Sequence, residues 1–145
     1  MKSVVRGVAV FLPACALLLS GCGESGPPRA DAHGKVMVDG EPVAEGAIIF
    51  IPVEGVSGPP TQLDIKEGVY STVQRGKRIV VGTSSVYISG VKTTGRKVRD
   101  SSSGELNDEY VEIVPRKYNE QSELQVEVQE GDNTFDFELE GKPQR

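Results

Sequence analysis

Cys22 is the residue whose type and setting point most directly to a reaction. It follows Leu19-Ser20-Gly21 at the end of an apolar run. The two small residues leave the backbone beside the thiol extended and unhindered, and Leu19 sets an aliphatic side chain before them. The sulfur is therefore open to chemical modification. The only other cysteine, Cys15, lies inside the apolar run. With Cys22 converted to a thioether and Cys15 removed, neither a free thiol nor a disulfide remains, and stability must come from a packed core.

Elsewhere the reactive side chains are thinly spread. The single histidine, His33, falls in a Gly/Pro-rich stretch, so neither a Ser/His/Asp nor a Cys/His arrangement is expected inside the folded part. Gly95 and Gly104 belong to no phosphate loop. Zinc would lack soft ligands. Calcium takes oxygen donors from loops, which Glu130, Asp132 and Asn133, or Asp108, Glu109 and Glu112, could offer, but the twelve-residue loop pattern is missing. Nothing singles out two of the 21 acidic residues for paired-carboxylate chemistry. The expectation is a protein that is not an enzyme and carries no metal or cofactor.

The surroundings of Cys22 explain its setting. Lys2 and Arg6 form a short positive start, residues 8–19 are almost wholly apolar, and the small-residue site follows at once. Those twelve or so residues, interrupted by Pro13, are too few to cross a hydrocarbon core about 30 Å thick. The whole resembles the signal peptide and lipobox of bacterial lipoproteins; the competing reading is an ordinary secretory peptide with a chance cysteine after it. The resemblance implies recognition of Leu19, Ser20 and Gly21 by the signal peptidase, cleavage before Cys22, and diacylglyceryl and palmitate-type acylation there. With Gly23 rather than Asp after the cysteine, it also implies the outer membrane in a host with two membranes.

Removing residues 1–21 leaves 124 of the 145 residues, room for one domain. It also leaves 14 basic against 21 acidic residues, a net charge of −7 where the whole chain has −5. That balance excludes nucleic-acid binding through a dominant positive surface. Residues 22–33 read as the lipidated cysteine and a flexible tether, holding a domain of residues 34–140 tens of Å from the bilayer; residues 141–145 read as a tail.

Within the domain, short apolar runs alternate with turn signals, the mark of a sandwich or barrel. Asp39-Gly40 predicts a hairpin, as does Lys66-Glu67-Gly68 between residues 61–65 and 69–73. Ala47-Ile48-Ile49-Phe50-Ile51 predicts a central strand covered on both faces. Alternation at 124–128 and 135–139 predicts a closing hairpin with an acidic outer surface. Ile48, Phe50, Val126, Phe135 and Phe137 are the expected core. Residues 92–108 fit no element and read as a loop. Lys92, Arg96, Lys97 and Arg99, with Tyr87 and Tyr110, are its candidate ligand-binding surface, an electropositive contact for an acidic partner; the competing reading is a solvated insertion.

The pieces Gly34-Lys-Val-Met-Val-Asp-Gly-Glu-Pro-Val43, Gly46-Ala-Ile-Ile-Phe-Ile-Pro52, Glu67-Gly-Val-Tyr70, Pro115-Arg-Lys-Tyr-Asn119 and Glu130-Gly-Asp-Asn-Thr-Phe-Asp-Phe-Glu-Leu139 together resemble the transthyretin-like, or carboxypeptidase regulatory-like, domains of bacterial lipoproteins. The resemblance implies an all-β, prealbumin-like two-sheet β-sandwich of about seven strands. It brings no catalytic motif. The expected function is a non-catalytic, lipid-anchored cell-envelope domain for binding or spacing. The alternative is a carbohydrate- or protein-binding module using the basic loop and the tyrosines; least favoured is a hydrolase accessory domain. The expected partners are the membrane, through the anchor, and an envelope protein or glycan.

Overall fold

The computed structural model describes residues 26–141, so Leu19, Ser20, Gly21 and Cys22 lie outside the described residues. Its centre is the predicted apolar strand, β3 (Glu45–Pro52), which pairs on one side with β4 (Thr61–Lys66) and on the other with β7 (Gly82–Arg99), both antiparallel. The register sets Leu63, Ile48 and Ile88 side by side, and Thr61, Phe50 and Val86 in the next row. All six are buried, because residues two apart on a strand share a face and this face turns inward. Ala47, Ile49 and Ile51 on the opposite face are only partly covered, so the strand is not enclosed on both sides as expected.

The second organising element is β1 (Arg29–Val38), ten residues with Ala30, Ala32, Gly34, Val36 and Val38 buried at every second position. It begins five residues earlier than the sequence reading placed the folded part, and takes in His33. Along one edge β1 pairs antiparallel with β6 (Ile79–Val80), β5 (Val69–Ser71) and β2 (Glu41–Pro42). Along the other it pairs in parallel with β10 (Asp132–Thr134) and β11 (Phe137–Leu139). The ladder therefore runs β10-β1-β5-β4-β3-β7-β8, with β8 (Leu106–Glu112) at one end, and does not close on itself.

Two tight turns follow the predicted chemistry. Asp39 and Gly40 both have positive φ, as do Glu67 and Gly68, the geometry that matches the right-handed twist of flanking strands. The predicted closing hairpin is not formed. β9 (Gln125–Val128) pairs with β7, whereas β10 and β11 cross to β1. The crossing is held by buried Asn133: its Oδ1 accepts from the Gln129 amide, and its Nδ2 donates to the carbonyls of Gln129 and Asp31. One side chain thus satisfies the backbone groups that a hairpin partner would have taken.

All these strands close over one core, an all-β arrangement consistent with a β-sandwich. No α-helix occurs among the described residues, only single 3-10 turns at Val73–Arg75 and Arg116–Tyr118. No helix among them is long and apolar enough to cross a membrane. Ile48, Phe50 and Phe137 are buried as expected; Val126 and Phe135 are partly buried against the core, and Val128 takes the deeper position. Phe50 lies 6.0 Å from Tyr70 and 6.4 Å from Phe135, ring centre to ring centre. The Tyr70 hydroxyl donates to the Phe135 carbonyl at 2.8 Å. Beneath it, a Cβ on Gly34 would stand 1.9 Å from the same Phe135 oxygen, so only glycine fits.

Two substitutions test this core in denaturant unfolding. Phe50→Ala should cost about 3–5 kcal/mol, and a loss below about 1 kcal/mol would contradict the packing described. Gly34→Ala should destabilise by at least about 1–3 kcal/mol, since the obstacle is a backbone oxygen and no side chain can rotate aside.

Candidate functional site

The residues singled out as a loop form an arm. Past Val91, β7 leaves β3 behind and continues to Arg99, paired only with β8. Residues 92–99 are all exposed, as is β8 apart from half-buried Glu109. Exposure on both faces removes the alternation by which a strand is recognised in sequence, so the segment read as unstructured. Thr93 faces Tyr110 and Lys97 faces Asp108, leaving residues 94–96 opposite Glu109 alone. Such a bulge adds local twist, and from it Thr94 and Arg96 both reach Glu109.

The four cations are all engaged. Arg96 meets Glu109 through Nε at 2.8 Å and Nη2 at 2.7 Å, and the Thr94 hydroxyl donates to the same carboxylate oxygen at 2.5 Å. Lys97 lies 2.7 Å from Asp108, Lys92 lies 3.7 Å from Glu41, and Arg99 donates to the Gly104 carbonyl. The bonds from Thr94 and then Arg96 hold the Glu109 carboxyl below its ordinary range. The arm therefore presents balanced charge, in place of an open electropositive face. Between the charges stand exposed apolar side chains: Leu106 and Tyr110 on the side of Thr93 and Lys97, Val98 and Val111 on the other. Leu106 is 58% and Tyr110 54% exposed.

Tyr87 belongs to the body, half-buried opposite Ile49. It precedes Thr93, the partner of Tyr110, by roughly 20 Å of extended strand at about 3.3 Å per residue. Lys92 points to the other side of β7, because strand side chains alternate. Tyr87, Tyr110 and Lys92 therefore do not share a face. At the root of the arm, Val38, Glu41, Pro42, Lys92 and Ile113 border a groove of about 400 Å³.

A second cluster lies on the β1–β10 pair. The parallel register sets His33 beside Thr134, with Asp132 two positions earlier on the same face. His33 Nδ1 is 3.1 Å from Asp132 Oδ1, and Nε2 is 3.1 Å from Thr134 Oγ1. The strands are locked there by the Phe135 amide donating to the His33 carbonyl at 3.0 Å and by the Lys35 amide donating to Asp136 at 2.8 Å. His33, Lys35, Ser71, Gln74, Thr134 and Asp136 border an adjacent groove of about 360 Å³. The reading of His33 as a tether residue is corrected: it is a strand residue with two side-chain partners. The signal was the small-or-apolar period of two from Ala30 to Val38, which runs straight through it.

Neither trio named for calcium is assembled into a site. Glu112 accepts from the Gly90 and Val114 amides, Asp108 and Glu109 face cations, Asp132 faces His33, and Asn133 is consumed by backbone. Among the described residues, no group of three or more such side chains could hold a metal ion.

The turn of the arm yields a pH test. Asp100 accepts from the Ser102 hydroxyl at 2.5 Å and from the amides of Ser103 at 3.0 Å and Ser102 at 2.7 Å, and these bonds lower its pKa from 3.8 to about 2. Ordering of the turn by this carboxylate should be complete above 3.8 and be lost as pH falls towards 2. Protection of the Ser102 and Ser103 amides from exchange, measured against their intrinsic rates at each pH, should fall across that interval, and Asp100→Asn should remove the transition. Protection indifferent to both would contradict the assignment.

No family model matches the chain, and no curated protein matches it. Among solved structures it is similar to a DUF3823 family protein from Parabacteroides merdae, at 14% identity and a TM-score of 0.39, over 81% of this chain and 48% of that one. It is also similar to a 9R-lipoxygenase from Cyanothece, at 11% identity and a TM-score of 0.34, over 81% of this chain and 17% of that one. The chain thus spans less than half of either neighbour, and at these values neither assigns it a family or an activity.

Proposed function

We propose that this chain is a lipid-anchored envelope protein, cleaved before Cys22 and acylated there. Its transthyretin-like β-sandwich presents the β7–β8 arm to a protein partner at the membrane surface, the outer membrane where the host has two. The observation that carries the binding role is the arm itself: a two-stranded ribbon standing beyond the body, charge-paired, with Leu106 and Tyr110 more than half exposed. An isolated hairpin is marginally stable in water, and a partner covering its apolar side chains would offset that weakness. A protein fits better than a glycan, because Tyr87, Tyr110 and Lys92 build no common platform.

The anchor reading draws on the Leu19-Ser20-Gly21-Cys22 pattern. β1 begins at Arg29, so only residues 23–28 separate it from Cys22. The seven steps from Cys22 to Arg29 span at most about 25 Å, a shorter reach than a tether running on to residue 33 would give.

Two measurements test the proposal. Mass spectrometry should find Cys22 acylated at the new amino terminus, with the protein in the membrane fraction, while Cys22→Ala should leave an unprocessed, non-lipidated precursor; an unmodified thiol in the native product would overturn the anchor. A photocrosslinker placed at Leu106 or Tyr110 in the anchored protein should give a discrete adduct with an envelope protein. One placed at exposed Gln62 on β4 should not. Identical adduct patterns from both faces, or none from the arm, would overturn the binding role.

A further inference from the structure

We infer that Thr134, His33 and Asp132 form a relay that activates the Thr134 hydroxyl for acyl transfer from short-chain esters, an activity separate from binding through the arm. The geometry is a linear chain of hydrogen-bonding groups: Asp132 Oδ1 to His33 Nδ1 at 3.1 Å, and His33 Nε2 to Thr134 Oγ1 at 3.1 Å. Asp132 selects the tautomer in which Nδ1–H donates to its carboxylate. Nε2 is then left as a lone pair facing the hydroxyl, so His33 can act as general base. Nucleophile, base and orienting carboxylate thus stand in the order that an activated hydroxyl requires.

The placement is rigid and accessible together. All three side chains project from one parallel strand pair with a fixed register; the backbone before His33 is held by the Asp31 amide donating to the Gly131 carbonyl, and after it by the bonds of Phe135 and Lys35. Strand-mounted groups keep their spacing better than groups on loops. His33 is 48% exposed, so a substrate reaches the imidazole and the hydroxyl without an opening motion. The groove of about 360 Å³ beside them accepts a small acyl group. Lys35 and Gln74, which border it, carry donors of the kind a developing oxyanion needs.

The reaction balances without a cofactor. Thr134 Oγ bonds to the ester carbonyl carbon while His33 Nε2 takes the hydroxyl proton. The bond from that carbon to the alkoxy oxygen breaks, and His33 returns the proton to the leaving oxygen, giving acyl-Thr134 and an alcohol. Water then attacks the acyl-Thr134, its proton passing through His33 to Thr134 Oγ as a carboxylic acid departs.

The test uses the full chain with p-nitrophenyl acetate, following nitrophenolate release and locating the acetyl group by peptide mass spectrometry. The parent should carry acetyl on Thr134. His33→Gln and Thr134→Val should lower the initial rate about 100-fold or more, the scale of a lost general base. Asp132→Asn should lower it by a smaller factor. Thr134→Ser, which keeps a hydroxyl and removes a methyl, should retain the acetyl label at residue 134. Acetyl found only on lysines, or a parent rate equal to that of Thr134→Val, would overturn the inference.

Discussion

The contact on which the rest of the structure depends is the one between Tyr70 and the carbonyl of Phe135, made directly over Gly34. Here β1 is approached from both edges. β5 brings the Tyr70 ring across to the core, and the chain between β10 and β11 brings Phe135 back beside β1. The phenol must stay protonated to donate, and burial, with Asp136 nearby, drives its ionisation far above the ordinary range. The bond is therefore insensitive to any ordinary change in pH. A side chain at Gly34 would separate the strands at the point where three elements meet.

That junction gives β1 a role beyond its own length. A ten-residue strand with neighbours on both edges must follow a defined path, and its inward alternation fixes which side chains meet the core. The same constraint fixes the outward alternation, and so places His33 beside Thr134 and Asp132. The cluster is a consequence of parallel pairing: strands joined by a short turn run antiparallel, and only a strand returning from the far end of the chain lies parallel at this edge.

The arm obeys different physics. Beyond Val91 there is no core to reward a particular face, and the ribbon is held by backbone pairing, cross-strand ion pairs and the Asp100 turn. Exposed ion pairs each contribute little, so the arm is only weakly stabilised by its own contacts. Its four cations, separate in sequence from the acidic residues that follow, looked like a free positive patch; folding the hairpin brings Asp108 and Glu109 back against Lys97 and Arg96 and cancels it.

Local pattern was enough for the all-β class, the two tight turns at Asp39-Gly40 and Glu67-Gly68, and the burial of Ile48, Phe50 and Phe137. Those follow from alternation, turn propensity and residue type within a few positions, where neighbours in sequence are neighbours in space. Only packing of the whole chain set the partners of strands that are far apart in sequence. Val126 alternates as well against β7 as it would against a closing hairpin, and only packing of the whole core sends β10 and β11 to β1. It also drew His33 into the folded body, because strand pairing joins residues about 100 positions apart, as His33 and Thr134 are; the polar stretch from Lys92 onward is a local ribbon that carries no alternation because both its faces are exposed.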